Sequence, residues 1–367
     1  MGSPSNWKHY LAKLIELRGG ALQVAQYIAV ISGLKRSIDD WVPVPQFAEF
    51  LSLAAKLGLS MEVDCVFRRL SDSQSAFGIN FAPTTRALGK PISEQDLAQL
   101  IGQPTDTVAA QSRLRYQPGG AEESYVVPLA AQTETPFVPG DEIHIVLSTR
   151  SEWAAEALAA AWYPVIIDGR VIFRPHIDCY RLGAALGYPE CCVKFFMEHN
   201  DWPRQNQIAE TARASRKLSW KANCLAKNTP WMLIFHMPCA FDCPATLQYS
   251  SQVLKEIAHF DSTLALKIEA FLKQLVLVAN ERLSFTLNDA EHRNGRTSYA
   301  GVNSLQEFIR LRDPLHDTYI RALSAGNEVS ISEGIIFIWR NGDLIETIEA
   351  SCDRGIAEVP MLLDFRG

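Results

Sequence analysis

Val165-Ile-Ile-Asp-Gly-Arg-Val-Ile-Phe173 decides how this chain is read. Two short runs of β-branched residues flank Asp168-Gly169, a pair that tolerates the positive-φ positions of a type I′ turn. The stretch therefore predicts a tight antiparallel hairpin. Near the C-terminus the same grammar recurs, with Ile335 to Trp339, then Asn341-Gly342, then Leu344 to Ile348. Hairpins mixed with helices, without the regular strand-helix alternation of a doubly wound sheet, define an α+β fold.

Working outward, Ile143, Ile145 and Leu147 alternate as a strand. Thr149 and Glu152 then have capping-box spacing before an alanine-rich helix running to Trp162. Prolines and glycines crowd the segment before that strand, which marks residues 118–141 as a linker or long loop. Residues 1–117 read as a mostly helical N-terminal domain. Pro45 fits a first helical position, with Phe47, Leu51, Ala54 and Ala55 following at helical spacing. A second helix is expected from Ser93 to Gly102, and a short one after Gln103-Pro-Thr-Asp106. That pair carries no basic cluster, so packing or partner binding suits it better than DNA binding. Residues 142–260 form a cysteine-rich α+β core, and 261–367 a C-terminal helix and β-hairpin region packed on it.

The chain has 367 residues, of which 47% are hydrophobic and 21% charged, enough for packed cores without cross-links. Thirty-five basic and forty-one acidic residues give a net charge of −6, which disfavours nucleic acid as a general ligand. Arg213, Arg216, Lys217, Lys221 and Lys227 form the most basic stretch and read as a solvated helix face. The apolar run Ala21 to Leu34 is broken by Gln23 and Gln26 and is shorter than the ~20 residues of a membrane span. No secretory cleavage pattern follows it, so a cytoplasmic protein is expected.

Six of the eight cysteines lie from Cys179 to Cys243, leaving only Cys65 and Cys352 outside. In a reducing compartment, clustered thiols point to metal binding or catalysis rather than disulfides. Within Gly187-Tyr-Pro-Glu-Cys-Cys-Val-Lys-Phe-Phe196, proline starts a helix and places Cys191 and Cys192 in its first turn. Unpaired N–H groups and the positive end of the helix dipole favour thiolate there. In His236-Met-Pro-Cys-Ala-Phe-Asp-Cys-Pro244, a short turn is expected to end near Cys243, because Pro244 cannot sit inside a helix begun at Pro238. A new helix then starts at Pro244, with Leu247, Leu254, Ile257 and Ala258 on its apolar face. Cys191, Cys192, Cys239 and Cys243 could thus complete a four-thiolate shell around zinc or an iron-sulfur cluster.

Buried cysteines can also act as small hydrophobes, and Cys224, four residues after Trp220, fits a packed face. Cys179 is a weaker candidate ligand. His236 could ligate metal, orient a substrate or move protons, or be packed beside Phe235; Glu190 could serve as general acid or base, or complement the helix dipole. His176 and Asp178 close the first hairpin, where loop capping is the simpler use of Asp178. No phosphate-binding glycine loop, dinucleotide fingerprint, H-E-x-x-H helix or G-x-S-x-G elbow occurs.

The motifs G-Y-P-x-C-C-V-x-F-F and H-x-P-C-x-x-x-C resemble a bacterial and archaeal family known only as a domain of unknown function. The resemblance covers about residues 143 to 260. It implies that the two motifs belong to one unit, and it carries no activity. The expected function is a metal- or iron-sulfur-dependent enzyme acting on a small molecule in a specialised pathway, with a protein partner possible through the N-terminal domain. The alternatives are a non-catalytic binding or scaffold protein with a structural four-cysteine site, or a thiol-redox protein.

Overall fold

The structure is a computed structural model describing residues 6–19, 22–69, 81–86, 113–114, 124–126, 142–160, 165–167, 170–172, 179–199, 207–280, 283–305, 315–349 and 360–366. The expected helices near Ser93 and Gln103, the turn Asp168-Gly169, His176 and Asp178 lie outside the described residues, as does Cys352, and of the expected linker 118–141 only Ser124–Val126 is described, as a strand. The chain is an α+β protein with several antiparallel sheets, and it divides into two compact units. Among the described residues, no helix is long and apolar enough to cross a membrane.

The first unit comprises Met1–Leu22, Ala29–Tyr188 and Arg310–Arg312. It opens with α1 (Trp7–Arg18), and α2 (Val24–Ile31) spans its boundary with the second unit. A helix, α3 (Phe47–Lys56), separates strands β1 (Ser37–Pro43) and β2 (Ser60–Arg69). Then come β3 (Phe81–Arg86), β4 (Arg113–Leu114), β5 (Ser124–Val126) and β6 (Glu142–Ser148). The strand expected from Ile143 is β6, and it sits centrally in an antiparallel sheet of order β1-β6-β2-β3. Side chains on both its faces, Ile143, His144, Ile145, Val146 and Leu147, are buried rather than alternating, so both faces of the strand are covered.

α3 forms where proline spacing predicted a helix, but it turns Phe47, Phe50, Leu53 and Ala54 inward rather than Leu51 and Ala55. The alanine-rich helix α4 (Ser151–Ala160) packs Ala154, Ala157 and Leu158 with Val146 and Ala185. The hairpin at the centre of the sequence forms as expected: β7 (Val165–Ile167) pairs with β8 (Arg170–Ile172), with Val165 opposite Ile172 and Ile167 opposite Arg170. β8 joins a second sheet of order β4-β5-β8-β7.

α5 (Cys179–Ala185) ends in a Schellman motif, in which Tyr188 N–H donates to Gly183 O at 2.8 Å and Gly187 N–H to Ala184 O at 3.0 Å. Gly187 has φ +71°, which favours glycine, and a Cβ there would also crowd the Arg36 nitrogen at 3.3 Å. The adjacent Lys35 is buried over the Tyr188 ring at 5.1 Å, and burial pushes its pKa down to about 7 against the pull of Asp39.

The second unit comprises Gln23–Ile28, Pro189–Ile309 and Asp313–Gly367. It begins with α6 (Glu190–Glu198) and α7 (Gln207–Ala214), passes through short 3-10 turns, and continues in α8 (Pro244–Phe260) and α9 (Ser262–Leu272). Asp261 Oδ1 caps α9 by accepting from the N–H groups of Thr263 at 2.8 Å and Leu264 at 3.1 Å. Strands β9 (Leu275–Val278), β10 (Ser284–Asn288), β11 (Glu291–Arg293), β12 (Arg296–Ser298) and β13 (Gly301–Ser304) follow. After α10 (His316–Ala325) the chain adds β14 (Glu328–Ser332), β15 (Ile335–Arg340), β16 (Asp343–Glu349) and β17 (Met361–Asp364).

These strands build two antiparallel sheets, of order β13-β10-β9-β17 and β11-β12-β14-β15-β16. Leu277, Phe285, Tyr319, Leu323, Val329, Ile336 and Ile338 join both sheets and α10 in one core. The C-terminal hairpin is the one expected, β15 against β16, with Asn341 at φ 52° and Gly342 at φ 93° supplying the two left-handed turn positions.

Candidate metal centre

Two helix starts in the second unit deliver the cysteines. Pro189 is the N-cap of α6, so Glu190, Cys191 and Cys192 are its first three residues. Cys243 is the N-cap of α8, with Pro244 in the first position. Between them, residues 236–243 run through bends into a short turn that ends at Cys243, as expected, with Cys243 N–H donating to Ala240 O at 3.0 Å. Tertiary anchors hold this loop in place. Thr211 Oγ1 on α7 donates to the Pro238 carbonyl at 2.9 Å, and Phe241 N–H donates to Ser215 Oγ at 2.6 Å. Phe241, between the two cysteines of the loop, is fully buried and meets Phe365 edge-on at 5.1 Å.

The result is a single sulfur cluster. The ligand atoms of Cys191, Cys192, Cys239 and Cys243 all lie within 4.8 Å of one another and could hold a metal ion. Cys243 Sγ is 3.7 Å from Cys191 Sγ and 3.8 Å from Cys192 Sγ, and the adjacent Cys191 and Cys192 sulfurs are 3.9 Å apart. Cys192 and Cys243 are buried, Cys239 is intermediate and Cys191 is exposed. The cluster therefore has an inner and an outer side.

Its electrostatics favour a cation. The Cys192 thiol beside it pulls Cys243 down to about 4, against burial, with further help from the Thr246 N–H and hydroxyl. No capping hydrogen bond reaches the Cys243 sulfur, so the Thr246 N–H acts as a dipole at the helix start. The same pairing drives Cys192 upward, burial acting in the same direction. Burial pushes Cys239 up to about 12, and the Cys243 sulfur adds to it. One thiolate among thiols is poised for a metal, whose charge stabilises each further thiolate and releases its proton.

His236 is buried and does not join the four ligands; its Nε2 lies 2.9 Å from Thr246 Oγ1, which in turn lies 3.3 Å from Cys192 Sγ. If Nε2 carries the proton, it donates to the threonine hydroxyl, and the hydroxyl donates to sulfur. The ring also meets Tyr249 edge-on at 6.2 Å. Glu190 is exposed in the first turn of α6.

Cys224 is buried with its Sγ 3.5 Å from Met237 Sδ, and burial pushes its thiol up to about 11, the behaviour of a core cysteine. Cys179 begins α5 in the first unit and does not belong to the cluster.

Thr246 is the site residue that sequence reasoning missed. The apolar face expected on α8 was Leu247, Leu254, Ile257 and Ala258, whereas the helix buries Thr246, Ser250, Val253 and Ile257. The available signal was position: Thr246 and Ser250 share a helix face with Cys243, a polar stripe that only a polar site would bury. Replacing Thr246 with valine should leave both His236 Nε2 and the Cys192 sulfur without this hydroxyl. A loss of roughly 10- to 100-fold in metal affinity is expected, measured by competition with a chromophoric chelator, with the fold retained by circular dichroism.

Fold and site together define an α+β protein with a four-cysteine candidate metal centre. Residues 142–272 match the family described as "Protein of unknown function (DUF483)", so a domain of that uncharacterised family spans the four cysteines. No curated protein and no solved structure matches the chain.

Proposed function

We propose that this chain is a metalloprotein in which one zinc ion, held by Cys191, Cys192, Cys239 and Cys243, fastens α6, the 236–243 loop and α8 into a rigid platform. The observation that carries the reading is the sulfur spacing. Four sulfurs each about 2.3 Å from a central zinc lie about 3.8 Å from one another. The separations of 3.7, 3.8 and 3.9 Å among Cys191, Cys192 and Cys243 match that edge, and Cys239 completes a set whose sulfurs all lie within 4.8 Å. An iron-sulfur cluster spreads its thiolates over several sulfide-bridged irons and needs wider spacing.

Four protein ligands close the coordination of zinc, whereas a catalytic zinc keeps one position for water or substrate. The complete thiolate shell therefore supports the structural, partner-presenting role over the enzyme role. The motifs G-Y-P-x-C-C and H-x-P-C-x-x-x-C are then one ligand set, with His236 and Thr246 orienting Cys192 from behind. A reducing compartment such as the cytoplasm suits these thiolates.

One observation keeps an enzymatic reading in play. Cys191 is exposed, so the outer side of the ion faces solvent, and exchange of that thiolate for a small molecule would open a reactive position. Glu190 would then be the neighbouring acid or base.

Purification under anaerobic conditions followed by elemental analysis and an absorption spectrum tests the proposal. A colourless protein with one zinc per chain is expected. A brown protein with iron and acid-labile sulfide would replace zinc by a cluster.

A further inference from the structure

A second constellation lies in the second unit and contains none of the four clustered cysteines. Ser304 ends β13, the edge strand of its sheet, and His316 begins α10. His316 Nε2 is 2.8 Å from Ser304 Oγ, and His316 Nδ1 is 3.1 Å from Asp317 Oδ1. Phe285, the cross-strand partner of Ser304, lies beneath the imidazole with ring centres 6.0 Å apart. The histidine side chain is 17% exposed and the aspartate 70% exposed, so the ring rests on an apolar floor with one edge reachable from solvent.

We propose that Ser304, His316 and Asp317 form a second, metal-independent site for acyl transfer from small activated esters. The roles follow from connectivity. The Asp317 carboxylate accepts the Nδ1 proton, which fixes the tautomer whose Nε2 can take the proton of the serine hydroxyl. Ser304 Oγ attacks the ester carbonyl and its proton passes to Nε2. The C–O bond to the alcohol then breaks, and His316 returns that proton to the leaving oxygen. Water, deprotonated by the same nitrogen, cleaves the acyl-serine to release the carboxylic acid and regenerate Ser304. Because His316 is the first residue of α10, the reacting oxygen lies beside a positive helix end, which favours the developing oxyanion. A solvated Asp317 orients the ring less firmly than a buried carboxylate, which is why activated esters rather than amides are the substrate class.

The alternative is a hydrogen-bonded tie between a strand end and a helix start, with no reactivity. Diisopropyl fluorophosphate separates the two on the full-length protein. If the site is active, Ser304 Oγ bonds to phosphorus, fluoride leaves, and mass spectrometry finds the adduct on Ser304. Ser304→Ala removes that adduct, and His316→Gln slows labelling by about 100-fold or more, the usual share of a general base. Asp317→Asn, an exposed change that spares the fold, slows it by about tenfold. No adduct on Ser304 would overturn the proposal. So would an adduct forming equally fast in His316→Gln, or in Asp317→Asn should His316→Gln not fold, since an ordinary surface serine would behave that way.

Discussion

Cys243→Ser is expected to cost this protein most of its metal. Cys243 Sγ lies 3.7 to 3.8 Å from both Cys191 and Cys192, and its thiol is the one held low, at about 4, so it is the thiolate on which the site is built. Serine at that position offers an alcohol that stays protonated and is a poor ligand for a soft site. If four thiolates share an apparent binding free energy of about 10–16 kcal/mol equally, one ligand is worth roughly 3–4 kcal/mol, a loss of about 10²- to 10³-fold in affinity. Zinc retention after dialysis against a weak chelator reads this directly. Cys224→Ser, at a core cysteine outside the cluster, should leave metal content unchanged.

The second large effect is on stability. A metal that binds only the folded state stabilises it by RT ln(1 + [L]/Kd), about 4 kcal/mol at a thousand-fold excess over Kd. For a unit of this size that corresponds to a fall of roughly 10 °C in melting temperature when a strong chelator strips the ion. The effect should be confined to the unit containing α6 and α8, because the four ligands all belong to it. Calorimetry with and without chelator measures it, and re-addition of zinc should restore the transition. A melting temperature indifferent to chelator would mean that the ion does not fasten these helices.

Both large effects rest on residues legible in the sequence, for a physical reason. Proline at a helix start and cysteine in the first turn are local facts, and two such starts in one compact region leave few places for their sulfurs to go. The two hairpins were legible for the same reason: Asp-Gly and Asn-Gly specify the turn, and the β-branched runs beside them specify the strands.

What escaped was decided at a distance. Ser37–Pro43, with Asp39-Asp40 in the middle and proline at the end, lacks an alternating pattern and becomes a strand because β6 offers it a ladder, Asp40 opposite Ile145 and Val42 opposite Ile143. Thr246 looked like an ordinary helix residue until the Cys192 sulfur came to lie 3.3 Å away, from 54 positions earlier in the chain. The anchoring of the 236–243 loop depends on Thr211 and Ser215, more than twenty positions earlier, and Ser304 meets His316 only once a strand end and a helix start converge.

X-ray absorption at the metal edge of the purified, full-length protein tests the central claim most directly. The account predicts zinc with four sulfur neighbours at about 2.3 Å and no lighter neighbour. Iron with metal-metal scattering, a nitrogen or oxygen replacing one sulfur, or no bound metal would contradict it.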